Sequence, residues 1–193
     1  QDVRVAILRI GPGPVLPAGA LGGGAGKLCR ARVRDVLQAG GICFIAHPDH
    51  VGTELFHVKH YPWQNWNVEG YTGIGIWDFM TDWQNSLHGY FRAFLSYLFP
   101  GFFLSGPLSI TLERWDRLNQ TRRVVGIAES DNHDTLKRFM GLTFPVFPFH
   151  KAFRFLKTHI LTRQPFSGEG VQDKALLLDA LRRGNVYVAQ ESF

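Results

Sequence analysis

Charge is scarce in this chain. Asp, Glu, Lys and Arg make up 19% of the 193 residues, and the net charge of +5 is spread along the sequence. An anionic substrate fits such a balance, and nucleic-acid binding is not demanded by it. Cysteine is scarcer still: Cys29 and Cys43 stand in no CxxC or zinc-finger spacing. A disulfide framework and a thiolate zinc site are therefore not expected, and two reduced core cysteines suit a cytoplasmic protein. A clean membrane-length apolar run is also lacking. Residues 93–112 carry no charge, but Pro100, Gly101, Gly106 and Pro107 interrupt them. A buried or lid-like helix-turn-helix is expected there, not a spanning helix. The run Gly22-Gly23-Gly24-Ala25-Gly26-Lys27 is no phosphate loop. Leu21 stands where the first Gly is needed, and Leu28 where a Ser or Thr would bind magnesium.

What is abundant is apolar and aromatic. Hydrophobic residues make up 45% of the chain, with 16 Phe and 5 Trp, so the core or a cleft should be aromatic. The length suits one good-sized domain. Residues 2–10 read as a strand, and the Gly/Pro-dense stretch after them as a flexible or degraded segment, so residues 1–26 are set apart from 27–193. Residues 27–39 read as a helix stopped by Gly40-Gly41, and 42–46 as a buried strand. Residues 73–77 form a third short strand that ends in Asp78. Residues 79–98 have helical aromatic spacing and read as one core helix; 108–119 read as another. Residues 140–149 should be extended, and 153–161 a short helix or a strand. Asp173 is a fair N-cap for a helix over 174–183 that ends at Gly184, and 185–189 form a last strand. Strands and helices alternate, which predicts an α/β fold. Beginning on Gln and ending just after a strand-like run, the chain is expected to be part of a longer protein.

The candidate site gathers where strands end. Residues 124–128 are short, apolar and β-branched, and run into Glu129-Ser130-Asp131-Asn132-His133-Asp134. Asp131 and His133 are two apart, so in extended backbone they would point to one side, as a carboxylate–imidazole pair of metal ligands. The competing reading is an Asx-turn beside a surface histidine. Strand 42–46 likewise ends in His47-Pro48. In α/β folds the carboxyl ends of strands are where sites form. His50 lies close to that end and is an open candidate, whereas His57 and His60 read as rim residues of a histidine-rich loop.

Three motifs in order resemble the PHP domain, the polymerase and histidinol phosphatase superfamily. They are the strand before His47-Pro48, the segment Gly73-Ile74-Gly75-Ile76-Trp77-Asp78, and Ser130-Asp131-Asn132-His133. The tail is similar to the CehA/McbA-like branch through Phe147-Pro148-Phe149, Thr158-His159-Ile160-Leu161 and Ala180-Leu181-Arg182-Arg183-Gly184-Asn185-Val186-Tyr187-Val188. The resemblance implies part of a distorted seven-stranded β/α barrel with a two- or three-metal site at the strand carboxyl ends. It implies His47, Asp131 and His133 as ligands of zinc, manganese or iron, with Asp131 and His133 catalytic. His50, Glu129 and Ser130 would support these ligands from behind. The implied activity is hydrolysis of a phosphorylated small molecule by metal-activated water. Arg92, Arg114 and Arg138 are candidates to bind the phosphate. The family's opening His-x-His is absent from this chain, and Glu129 stands where the family usually has Gly. The missing ligands would have to come from the longer protein. The alternative is a non-catalytic PHP-like remnant that serves as a binding scaffold.

Overall fold

A computed structural model describes residues 25–139 and 141–191. The expected first strand and the Gly/Pro-rich stretch through residue 24 lie outside them. Helix α1 (Ala25–Gln38) leads to β1 (Phe44–Ile45) and to a small ribbon of β2 (Asp49–His50) with β3 (Tyr61–Pro62). Strand β4 (Gly73–Asp78) is followed by α2 (Phe79–Asn85), α3 (Tyr90–Leu98) and α4 (Ser109–Asn119). Strand β5 (Val125–Glu129) then precedes the hairpin of β6 (Leu136–Phe139) and β7 (Leu142–Pro145). A single turn, α5 (Phe149–Ala152), leads to β8 (Leu156–Ile160), α6 (Gly170–Arg183) and β9 (Val186–Gln190). The α/β class is as expected. No closed barrel is formed by the described residues: they make one parallel sheet, ordered β1-β4-β5, and three two-stranded sheets.

The apolar runs of β1 and β5 belong to strands covered on both faces. Val33 and Val36 of α1 pack with Cys43, Ile45, Ile74 and Val124 on one face. Leu178 and Leu181 of α6 pack with Ile42, Phe44 and Val125 on the other. Alternate residues of one short run thus face opposite helices. Burial pushes the Cys43 thiol up to about 11, so it stays protonated among apolar neighbours. β8 pairs with β9 in an antiparallel ribbon, and the ribbon runs along β5. There, the Thr158 hydroxyl accepts from the Ala128 N–H (2.8 Å) and donates to the Ala128 carbonyl (3.2 Å), tying β8 to the free edge of β5.

The single helix expected over 79–98 is two helices. Gly89, with φ 155°, breaks it between Asn85 and Tyr90. The break lets α3 fold back on α2, so that Trp83 Nε1 donates to Ser96 Oγ at 3.0 Å. Asp173 is not the cap of α6 but lies in its first turn. It accepts from the backbone N–H groups of Ser167 (2.7 Å) and Gly168 (2.9 Å), which orders the loop before the helix. Gly184, at φ 70°, closes that helix as expected. Residues 93–112 form α3, a 3-10 turn, a loop and the start of α4. No helix among the described residues is long and apolar enough to cross a membrane.

A second, aromatic core lies beside the sheet. Phe147 is fully buried, with ring centroids of Phe79, Trp83 and Tyr97 at 5.2, 4.8 and 5.3 Å. Truncating it removes a shared partner of all three rings at once. Phe147→Ala should cost roughly 3–5 kcal/mol of stability. Phe149→Ala, on the exposed side of α5, should stay within about 0.5 kcal/mol. Urea denaturation midpoints of the two variants check the contrast.

Candidate metal centre at the strand carboxyl ends

Because β1, β4 and β5 are parallel, their carboxyl ends share one edge of the sheet. The residues at or just beyond that edge are His47, Asp78, Glu129 and Asp131. Asp78 and Glu129 are direct partners in the ladder. A register shift between Gly75 and Trp77 makes Ile76 an extra residue, a bulge just before the strand end. Glu129 lies across Gly75, where any Cβ would overlap its carboxyl, and accepts the backbone N–H of His47. Asp78 caps α2, accepting from the N–H groups of Met80 and Thr81, both at 3.1 Å, and from the Thr81 hydroxyl.

His47 and Asp131 are brought together: His47 Nε2 stands 3.6 Å from Asp131 Oδ1. His133 Nε2 stands 4.0 Å from the same oxygen. The expected reason for the Asp131–His133 pairing does not hold. Asp131 is at φ 45°, so the backbone there is left-handed and not extended. His47, at φ 30°, is left-handed too. Non-glycine residues rarely adopt this region, and such positions cluster at functional sites. The loop after Asp131 is held by Asn132, whose side chain donates to the Phe147 carbonyl (2.6 Å) and accepts from the Asp134 N–H (3.3 Å). An Asx-turn is therefore present, but at Asn132 and beside the His47–Asp131 contact.

His50 joins the centre. It is buried, and its ring lies 5.8 Å from that of His47, edge to face. Burial, and then the neighbouring His47, hold its pKa below the ordinary histidine value. His57 and His60 are exposed rim residues, as expected. Ser130 Oγ is buried without a hydrogen-bond partner. Two of the three candidate arginines are occupied elsewhere. Arg114 forms a fork on Asp49, with Nη2 to Oδ1 at 2.9 Å, and covers Trp66. Arg92 Nε donates to the Ser86 carbonyl at 2.8 Å. Arg138 lines the large cavity that Asp131 and His133 also line.

Asp78 is the site residue that sequence reasoning did not single out. Its signal was present, as the last residue of a third strand, but its contact with the other carboxyls depends on strand order. Burial, and then the charge of Asp131, push its pKa up to about 8. Burial, and then Asp78, also hold Glu129 well above the ordinary carboxylate range.

The donor chemistry fits a divalent cation. Imidazole and carboxylate groups meet at one edge, the Nδ1 atom of His47 is buried without a hydrogen-bond partner, and the clustered carboxyls resist ionisation in the absence of positive charge. Convergence is less complete than chemistry. Among the described residues no three His, Cys, Asp or Glu side chains meet with ligating geometry. Comparison of the chain with protein-family models, curated proteins and solved structures finds no match.

The raised carboxyl pKa values set a pH dependence. With its folded pKa above the unfolded one, Asp78 keeps a proton in the native state between pH 4 and 8 that the unfolded chain releases. Native stability of chelator-treated protein should therefore fall as pH rises through that window, by on the order of a few kcal/mol. Asp78→Asn keeps one of the two accepting oxygens of the cap and removes the titrating group, so it should reduce the slope, with the share due to Glu129 remaining. Denaturation midpoints at pH 5 and pH 8 measure it.

Proposed function

We propose that this chain carries the strand-end portion of a metal-dependent phosphoesterase built on a PHP-type β/α barrel. The observation that carries the reading is the His47–Asp131 contact, 3.6 Å long. Both residues are in left-handed backbone, and both follow parallel strands at one edge of the sheet. The Thr158 hydroxyl, bonded to both the N–H and the carbonyl of Ala128, holds the separate β8–β9 ribbon against the free edge of β5, which is compatible with strands that curve towards a barrel.

In this reading His47, Asp131 and His133 hold divalent metal, with His50 beside them. A bound metal supplies Lewis acidity, lowering the pKa of water and withdrawing charge from phosphoryl oxygens. The protein's own residues do the rest. Glu129 fixes His47 by accepting its N–H, and Gly75 leaves room for the Glu129 carboxyl. Asp78 orients α2 through its cap. Lys137 and Arg138, on the hairpin after the Asp131 loop, supply positive charge for the phosphate in the shared cavity. The substrate is a phosphorylated small molecule.

A second reading, a ligand-binding scaffold without turnover, is favoured by the incomplete convergence of the donor side chains. Elemental analysis separates the two. Protein purified from manganese- or zinc-supplemented medium should carry at least one equivalent of metal, and the His47→Ala/Asp131→Ala double variant should lose it. Phosphate release from a generic aryl phosphate should fall at least 100-fold in Asp131→Ala while far-UV circular dichroism is unchanged. Equal metal content in wild type and double variant would reject the centre.

A further inference from the structure

The cavity beside the candidate centre is far larger and more apolar than a phosphate group needs. Its volume is about 1230 Å³, above the usual range of small-molecule sites, roughly 300–1,000 Å³. Its composition changes from one part to another. Asp131, His133 and His50 line it together with the cationic Lys59, Lys137 and Arg138. Much of its apolar lining comes from α2, α3 and the turn between them, where Met80, Trp83, Leu87 and Ala93 belong to the aromatic core and Phe94 adds an exposed ring, and from Phe144 of β7. An alkyl chain laid against these apolar side chains would bury surface without leaving a polar group of its own unpaired, whereas a hydroxyl would find partners only at a few points of the lining, such as the Gln84 amide and Trp63 Nε1.

The apolar wall also reaches the surface. Tyr90 and Phe94 both line the cavity and are exposed, at 72% and 59%. Phe91, on the same helix, is 77% exposed, and Phe102 beyond it is 89%. Exposed aromatic side chains at the mouth of a cavity mark a binding surface.

We propose that this cavity binds a single-chain amphiphile, an alkyl phosphate whose anionic head lies by Asp131, His133, Lys137 and Arg138 and whose tail runs along α2 and α3. The placing of the head rests on the phosphoesterase reading; the tail site rests on the cavity alone. Charge complementarity supports the head, since Lys59, Lys137 and Arg138 bring three cationic side chains to one cavity.

The test is calorimetric titration of the whole chain with butyl, hexyl and octyl phosphate and with octanol, each below its micelle concentration. It is run once with chelator and once with manganese. Each buried methylene contributes up to roughly fourfold in affinity. Octyl phosphate should bind at least tenfold tighter than butyl phosphate and at least tenfold tighter than octanol. Ala93→Trp, which puts a large ring into the apolar lining, should bring octyl phosphate down to the butyl level. Phe94→Glu, at an exposed position, should weaken octyl phosphate at least fivefold and guards against misfolding of the first variant. A flat chain-length series, octanol as tight as octyl phosphate, or a Phe94→Glu protein of unchanged affinity would each overturn the proposal. A steep series without metal-dependent phosphate release would uphold the amphiphile site and remove the phosphoesterase reading. Phosphate release with a flat series would do the reverse.

Discussion

The carboxyl of Glu129 is the point on which the strand ends depend. It sits at the end of β5, lies across Gly75 of β4, and accepts the backbone N–H of His47 just past β1. One side chain thus joins all three parallel strands at the edge where the histidines and carboxylates gather. Two features of the neighbours make room for it. Gly75 has no Cβ, and the bulge at Ile76 resets the register so that Asp78 and Glu129 end opposite each other. The left-handed backbone at His47 and Asp131 is the local strain that goes with this arrangement.

This arrangement sets charge against burial. Asp78, Glu129 and Asp131 would repel one another if all were ionised, and burial together with this repulsion holds the pKa values of Asp78 and Glu129 above the ordinary carboxylate range. The Thr81 and Met80 hydrogen bonds to Asp78 work in the opposite direction, and desolvation outweighs them. A cation at this edge would reverse the balance, because it stabilises the ionised carboxylates and gives the histidine nitrogens a partner. The electrostatics of the edge are thus those of a site suited to positive charge.

The aromatic core governs the other half of the molecule. Phe147 packs under Trp83 and Tyr97, and its carbonyl accepts from Asn132 in the loop that carries Asp131 and His133. The packing that stabilises α2 and α3 therefore also positions the candidate ligand loop. The same two helices form the apolar wall of the cavity, so core, loop and cavity share one set of side chains.

Local pattern determined a good deal by itself. The apolar runs at 42–46 and 124–128, the Gly-terminated helices, the placing of His47 and Asp131 just past strand ends and the abundance of aromatic residues were all legible, because each rests on neighbours in the chain or on composition. The extended reading of the Asp131 backbone, the single helix over 79–98 and the cap at Asp173 were not right. In each case a longer-range contact or a single glycine overrode the local pattern: Asn132 on Phe147, Trp83 on Ser96 across the Gly89 break, and Asp173 on the preceding loop. Asp78 is the clearest division between the two levels. The sequence shows an acidic residue ending a strand. Only the parallel order β1-β4-β5 makes it the neighbour of Glu129, since Coulomb repulsion and desolvation depend on distance in space and not on separation along the chain.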